Sequence, residues 1–398
     1  MAYATTQIID AVIRAWMRSR HEVAVARRPL LLSARLVALL AWAALSGSSF
    51  GQDQRPQQAP RITCAWQTDK RPAEPSPVSS TATAPRDYTA TALVAALQAT
   101  LKPEEVSLVV NPVAATPEMN RWGRELTAAA TNDLRRARTL YDLMATRVAM
   151  KPVHGRQYRT AQEVFAAWDM PGESFLCQEL TYVYVALARA VHLKAYTVFV
   201  EQDCYGAWNY HACAAVFIGG KAFLVDPAYS RFGVPHKRFT VLDDLQAAGV
   251  FLSGMVDCPA ACQIACKLAP TLAVVQASLF DKLAGERRWV EAGERLRLMR
   301  RLEPRGPMTY YAQAVLAFQE AKFTRAERFL ARAIHLAPRM PKLHAMLGYL
   351  NAARGNLVEA KRCYEKAYDC CQDERSARMT QQTIAEIDAR LNRPAAER

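Results

Sequence analysis

The 398-residue sequence has no series of long apolar segments, and only one stretch, near the N-terminus, is apolar enough to enter a membrane. A protein that crosses the membrane several times is therefore excluded. The chain also lacks a Lys/Arg tract and a basic strand interleaved with aromatic residues, so nucleic-acid binding is not expected despite a net charge of +14. Ten cysteines are far too few for a disulfide-framework protein.

The composition is that of an ordinary globular protein, with 51% apolar and 22% charged residues. A chain of this length is expected to form several domains. Residues 273–398 carry 23 Lys and Arg against 15 Asp and Glu, so more than half of the positive excess lies there, interspersed with acids.

The first 51 residues have the pattern of an export signal. Basic residues precede the apolar run Leu36–Leu45, and small residues follow as far as Gly51. The run is short for a bilayer span. It predicts either a cleaved signal peptide or an uncleaved N-terminal segment that anchors the protein to the membrane. Both alternatives place the rest of the chain outside the cytoplasm, in the periplasm or secreted.

Residues 52–87 are predicted to be a disordered linker, since six prolines and many polar residues leave little apolar surface to bury.

Residues 88–272 form the first predicted globular domain. Apolar residues at helical spacing predict helices over Tyr88–Leu101, Ala128–Val148, Thr160–Trp168 and Cys177–Leu193. Short runs rich in Val, Phe and Tyr predict strands over Ala195–Glu201, Tyr210–Ile218 and Lys221–Val225. Helices followed by an antiparallel sheet are typical of the α+β class.

Residues 273–398 are predicted to be an all-α repeat domain. Ala292, Ala326 and Ala360 recur at intervals of 34 residues, and Pro304 and Pro338 share the same spacing. This period resembles that of tetratricopeptide repeats, which stack helix pairs into a groove that binds peptides or partner proteins. The last helix, Arg375–Leu391, is expected to cap the stack.

Cys177 opens the predicted helix Cys177–Leu193, directly after a loop. The first turn of a helix has unpaired N–H groups and a partial positive charge, which favour a thiolate. Because the thiolate is the nucleophilic form of cysteine, this position is suited to catalysis. Buried free cysteines also occur at helix starts, so the position by itself leaves a purely structural role open.

His211 and Asp226 are predicted to lie on one face of a hairpin whose turn is Gly219-Gly220. In this register Cys213 opposes Asp226, and His211 is the diagonal neighbour of Asp226. Diagonal neighbours lie roughly 7–8 Å apart, within reach of an imidazole and a carboxylate. A histidine oriented by a carboxylate and placed beside a thiol is the arrangement that activates a cysteine nucleophile.

Together these residues resemble the transglutaminase-like superfamily, which is related to papain. The resemblance covers about residues 130–240 and rests on the runs from Thr160 to Phe165 and from Leu187 to Ala190, and on the order Cys177, His211, Val225-Asp226-Pro227. It implies a papain-like α+β fold and acyl transfer through a thioester. By the same resemblance Cys177 is the nucleophile, His211 the general base and acid, and Asp226 the residue that orients His211. This chemistry needs no metal or other cofactor.

The sequence departs from the family pattern at three positions near the site. Phe175 and His192 stand where glycine is common, and Cys213 stands where an aromatic residue is common. The first oxyanion donor is expected to be the Cys177 N–H, and Trp168 and Gln178 are candidates for the second.

Cys258, Cys262 and Cys266 recur every four residues and would share one helix face. Closer pairs and a fourth ligand are usual in zinc sites, so these cysteines are expected to be buried thiols or to form disulfides.

Two hypotheses for the function remain. In the first, the protein is an exported cysteine peptidase, amidase or crosslinking enzyme that acts on a protein or peptide, and its repeats bind a protein partner. In the second, the transglutaminase-like domain is catalytically silent and the chain is a cell-envelope adaptor. The presence of all three reactive residue types favours the enzyme.

Overall fold

The computed structural model describes residues 77, 83–147, 158–170, 173, 175–254, 259–371 and 374–392. The predicted signal or anchor and most of the predicted linker lie outside these residues, as do Cys64, His154 and Cys258. No helix within the described ranges is both long and apolar enough to cross a membrane.

Six helices in the described part of the chain precede the sheet. They are α1 (Ala90–Thr100), α2 (Pro103–Val106), α3 (Pro117–Thr127), α4 (Asp133–Arg147), α5 (Ala161–Ala167) and α6 (Cys177–Ala190). The ranges predicted from the sequence contain α1, α4, α5 and α6, but α2 and α3 were not predicted. The side chains of Thr89, Thr116 and Thr160 cap α1, α3 and α5 by accepting a backbone N–H of the first turn.

Helix α6 lies in the centre of this domain, packed against α3, α4, α5 and the sheet. All of its residues except Cys177 and Arg189 are buried. A helix that is buried on every side is part of a core. The chain leaves α6 through His192, whose φ of 64° is the left-handed conformation for which glycine is favoured. The position of Cys177 at the start of α6 is therefore fixed by the core itself.

A five-stranded antiparallel sheet follows, and it confirms the predicted α+β class. Its strands are β1 (Lys194–Gln202), β2 (Trp208–Ile218), β3 (Lys221–Asp226), β4 (Arg231–Phe232) and β5 (Arg238–Val241), in the spatial order β4-β3-β2-β1-β5. The first three strands match the prediction. The short strands β4 and β5 were not predicted.

The hairpin between β2 and β3 has the predicted register. Ile218 pairs with Lys221 and Ala214 with Val225, on either side of the turn Gly219-Gly220, whose φ values are 54° and 76°. Only residues tolerant of positive φ close such a two-residue turn without strain.

Nine helices of the described chain follow the sheet. They are α7 (Asp244–Ser253), α8 (Pro259–Leu268), α9 (Ala273–Gly285), α10 (Trp289–Leu302), α11 (Pro307–Gln319), α12 (Phe323–Leu336), α13 (Pro341–Ala353), α14 (Leu357–Asp369) and α15 (Glu374–Leu391). The pairs α9–α10, α11–α12 and α13–α14 start at intervals of 34 residues, in agreement with the predicted period. Helix α15 packs on α14 at the end of the stretch.

The small residues of the repeat lie at helix contacts, since Ala292, Ala326 and Ala360 are completely buried. The predicted boundary between residues 272 and 273 stays a prediction. Leu268, Leu272 and Val275 share one apolar core across it, and the same core includes residues of the sheet.

Candidate active site

Cys177 is the first residue of α6 and is half-buried. At this position its backbone N–H has no acceptor within the helix. The side chain of His211 forms a hydrogen bond with the Cys177 sulfur, and the backbone N–H of Ala212 also donates to it. The helix start and strand β2 thus meet at this thiol.

His211 contacts Asp226 as the hairpin register predicts. Its Nε2 lies 2.7 Å from Oδ2 of Asp226, and both side chains are buried. Since Nε2 faces the carboxylate, Nδ1 is the ring nitrogen left for the sulfur. The structure therefore brings the three predicted residues together in the order Cys177, His211, Asp226, while their catalytic role remains a prediction.

The electrostatics of these residues favour a thiolate beside an imidazolium. Burial by itself would raise the pKa of Cys177, but the charge and hydrogen bond of His211 and the N–H of Ala212 outweigh it and lower that pKa. Burial would lower the pKa of His211, yet Asp226 and Cys177 raise it well above its usual value. The pKa of Asp226 is lowered despite its burial, because His211 and His236 stabilise its charge.

Cys213 is close to this site but has the opposite electrostatics. Burial, together with the negative charges of Asp226 and Cys177, raises the pKa of its thiol well above the usual value. Of these two cysteines, Cys177 is therefore the one whose thiol ionises more readily.

The site also contains His236, which sequence reasoning did not identify. Nε2 of His236 lies 3.0 Å from Oδ2 of Asp226, the oxygen that also contacts His211. The backbone N–H of Tyr229 donates to Oδ1 of Asp226 at 3.0 Å. No sequence pattern marks His236, a lone histidine after a proline. It reaches the site because of the path of the loop between β4 and β5.

Tyr229 forms a wall of the site beside His211, with ring centroids 4.9 Å apart. Its hydroxyl donates to Oδ2 of Asp203 at 3.2 Å and accepts the side-chain N–H of Asn209 at 3.0 Å. Oδ1 of Asp203 in turn accepts two backbone N–H groups of the β1–β2 loop. The ring of Tyr229, which lies beside the His211 imidazole, is thus held in place through its hydroxyl group.

The loop before Cys177 is held by a partly buried ionic cluster that the sequence did not predict. Glu179 is completely buried, and its carboxylate accepts the backbone N–H of Leu176 at 3.1 Å. Arg159 donates to Glu179 at 3.2 Å and to Glu173 at 2.9 Å, and its guanidinium lies over the ring of Phe175. This cluster joins the N-terminal end of α6 to the segment before α5.

The two candidates for the second oxyanion donor, Gln178 and Trp168, make different contacts. The side-chain amide of Gln178 donates to the hydroxyl of Tyr182 on the next turn of α6. Trp168 packs in an aromatic cluster with Trp122 and Phe165, at centroid distances of 5.1 and 4.8 Å. The Cys177 N–H remains the donor whose position at the nucleophile is defined by the helix.

A metal site can be considered at His211, Asp226 and His236, whose potential ligand atoms lie within 4.8 Å of one another. Nε2 of His211 and Nε2 of His236 lie 2.7 and 3.0 Å from Oδ2 of Asp226, which are hydrogen-bond distances. In each hydrogen bond a proton lies between two atoms that would otherwise bind the metal. A metal-bound histidine usually donates its other N–H to an acceptor. Within the described residues, Nδ1 of His236 has no such acceptor. These contacts fit hydrogen bonding better than metal binding.

The other described cysteines form no comparable site. Like Cys177, five of them are free thiols: Cys204, Cys213, Cys266, Cys363 and Cys370.

Comparison with known proteins finds a superfamily match over the part of the chain that contains these residues. Residues 120–227, about a quarter of the chain, match the profile of the Transglutaminase-like superfamily, and all three predicted site residues fall inside the match. This part of the chain is therefore a transglutaminase-like domain.

Among solved structures, the chain is similar to a candidate cysteine protease from Cytophaga hutchinsonii, with 14% identity and a TM-score of 0.26. The similarity covers 36% of this chain and 49% of that protein, so the chain spans about half the length of that relative. No curated protein matches this chain.

Proposed function

We propose that the protein is a cysteine-dependent acyl-transfer enzyme that forms a thioester on Cys177. The observation that carries this proposal is the contact series Cys177–His211–Asp226 at the start of a buried helix, with the pKa of the thiol lowered. The match of residues 120–227 to the transglutaminase-like superfamily supports the same reaction class.

In the first half of the reaction, the Cys177 thiolate attacks the carbonyl carbon of an amide or ester. The carbonyl electron pair moves to oxygen, and the Cys177 N–H donates to the resulting oxyanion. The His211 imidazolium then gives its proton to the leaving amine or alcohol as the bond from carbonyl carbon to leaving group breaks. The products of this half are a thioester on Cys177 and a neutral His211.

In the second half, His211 removes a proton from the acyl acceptor, which attacks the thioester carbon. The sulfur leaves as a thiolate, and the thiolate–imidazolium pair is restored. With water as the acceptor the protein is a peptidase or amidase, and with an amine it is a crosslinking enzyme. Throughout, Asp226 keeps the imidazole oriented and stabilises its positive charge.

The first prediction is that Cys177 is alkylated fastest of the ten cysteines by iodoacetamide at pH 6, because the contact with His211 keeps its thiol ionised. Peptide mass mapping after a short reaction measures this order. With p-nitrophenyl acetate, the same peptide should gain one acetyl group as p-nitrophenolate is released, and Cys177→Ala should abolish the modification while the domain stays folded.

Cys370→Ala is the matched control, since Cys370 is also half-buried but burial and Asp369 raise the pKa of its thiol. This variant should acetylate like the unmodified protein. Faster labelling of another cysteine, or an undiminished acetylation of Cys177→Ala, would contradict the assignment and favour the silent adaptor.

We further propose that the helix pairs from α9 to α14 are tetratricopeptide-like and bind a protein or peptide partner. The 34-residue spacing of the helix starts and the buried alanines at the helix contacts support this. Export is proposed on the pattern of residues 1–51 alone.

A further inference from the structure

We propose that His236 is a positioning residue, which holds the Asp226 carboxylate in the orientation that His211 requires. This inference rests on the proposed function and adds a fourth residue to its machinery. Its basis is that two imidazoles, His211 and His236, share one carboxylate oxygen, Oδ2 of Asp226.

The protonation of His236 at this contact follows from its partner. An ionised carboxylate only accepts hydrogen bonds, so Nε2 of His236 must carry the proton and donate it. The His236 side chain is completely shielded from solvent. Among the described residues its Nδ1 has no hydrogen-bond partner. The contact with Asp226 is therefore the one hydrogen bond that this ring makes to the described structure.

The hydrogen bonds of Asp226 show how its orientation is fixed. Tyr229 holds Oδ1 through its backbone N–H, and His236 holds Oδ2. Both donors lie in the segment that leaves β3 and leads to β5, so one stretch of chain fixes the plane of the carboxylate. With the plane fixed, Oδ2 is presented to His211, which belongs to a different strand.

His236 acts through Asp226 and has no direct contact with the reacting sulfur. Its ring centroid lies 6.1 Å from that of His211 and 5.6 Å from that of Tyr229. The hydrogen bond from His236 also contributes to the lowered pKa of Asp226. Without this donor, Asp226 keeps the Tyr229 N–H on Oδ1 but loses one of the two contacts on Oδ2, so its orientation is less firmly fixed and its negative charge less well stabilised. The His211 imidazolium and the Cys177 thiolate are then both less well stabilised.

The test compares three forms of the full-length chain. His236→Leu removes the donor with a side chain of similar size, and His236→Gln keeps an N–H donor. The rate of Cys177 alkylation by iodoacetamide is measured from pH 4 to pH 9 by mass mapping. We expect the thiolate titration of His236→Leu to move upward by about one pH unit, a tenfold lower rate on the acid side. His236→Gln should recover most of this loss.

A purely structural role for His236 would lower the melting temperature of His236→Leu and leave the titration of Cys177 unchanged, and this result would overturn the inference. A pH profile of Cys177 alkylation that is displaced as far in His236→Gln as in His236→Leu would also overturn the inference. If the leucine variant does not fold, His236→Met provides a second side chain without a donor. The proposed function fails separately, when Cys177 of the unmodified protein is not the most reactive cysteine.

Discussion

The buried carboxylate of Asp226 receives three N–H donors, from His211 and His236 on Oδ2 and from Tyr229 on Oδ1. A carboxylate satisfies all three because both of its oxygens accept hydrogen bonds. An asparagine offers one acceptor oxygen and one NH₂ group, so at least one of the three donors would face another donor. At this residue an amide is therefore a poor substitute for the acid.

We accordingly predict that Asp226→Asn reduces p-nitrophenyl acetate turnover by up to about 10⁴-fold, the loss that the same change causes in a Ser-His-Asp triad. Loss of the negative charge lowers the pKa of His211 and so reduces the thiolate fraction of Cys177. His211→Ala should lose more, since it removes the proton carrier itself. Steady-state kinetics and alkylation at pH 6 measure both effects.

Asp244→Asn is the control for this prediction. Asp244 is also a buried carboxylate, but it pairs with Arg189 at 2.8 Å, away from Cys177. It should alter stability and leave the Cys177 titration unchanged. A wild-type alkylation profile in Asp226→Asn would show that the charge of Asp226 does not act on the thiol.

At the scale of elements, the three helix pairs share one backbone feature. Helices α9, α11 and α13 are each followed by a residue in the left-handed conformation, Arg287, Ala321 and Gly355, with φ of 60°, 58° and 83°. In each case the next residue donates its N–H to a carbonyl of the last helical turn. Only the third pair has glycine there, so the first two carry strain that glycine would avoid.

We therefore predict that Ala321→Gly raises the free energy of unfolding by roughly 0.5–1 kcal/mol, the left-handed strain less the extra chain entropy of glycine. Gly355→Ala should lower it by about 1 kcal/mol, although a Cβ at Gly355 would meet no atom within 4 Å. Urea unfolding measures both changes.

The matched control is Gly293→Ala, the same substitution inside helix α10. A Cβ at Gly293 also meets nothing within 4 Å, but φ there is not positive. This variant should gain about 0.5–1 kcal/mol, because alanine is the better helix former. Equal signs for Gly293→Ala and Gly355→Ala would rule out backbone strain as the cause.

At the scale of the whole molecule, Glu303 joins the sheet to the helix pairs. It is a buried residue at the end of α10, and it accepts the hydroxyl proton of Tyr210 at 3.3 Å and lies 3.6 Å from Arg238. Burial raises the pKa of Glu303 to about 7, with Glu201 adding to the increase and Arg238 and Tyr210 opposing it. The junction between the two parts of the molecule therefore contains a carboxyl group that titrates near neutral pH.

The titration of Glu303 makes the folded state less stable as the pH rises. Between about pH 4.5 and pH 7 the folded state binds a proton at Glu303 that the unfolded state has released, so the free energy of unfolding falls as the pH rises through this window. We predict that Glu303→Gln is more stable than the unmodified protein by roughly 2–3 kcal/mol at pH 8. The difference should vanish near pH 4.5.

Thermal or urea unfolding at several pH values tests this, with the exposed Glu327→Gln as the control. Glu327 contacts Arg354 on the protein surface and should show a small, pH-independent effect. A stability gap between Glu303→Gln and the unmodified protein that does not change with pH would contradict the role of this titration.

The sequence by itself determined the features that depend on local pattern. Hydrophobic periodicity located α5, α6 and the first three strands, and Gly219-Gly220 fixed the register that places His211 beside Asp226. The 34-residue spacing of small residues predicted the helix pairs from α9 to α14. These features follow from turn geometry and side-chain spacing along the chain, so they can be predicted without knowing how distant segments pack.

Only the tertiary structure decided which distant residues meet. His236 reaches Asp226, Arg159 reaches Glu179, and Glu303 reaches Tyr210 across the two parts of the molecule. Each contact joins segments whose separation depends on how the loops and layers pack, and no local spacing encodes that path. The burial that shifts the pKa values of Cys177 and Glu303 is likewise a property of the assembled core, which the order of residues does not show.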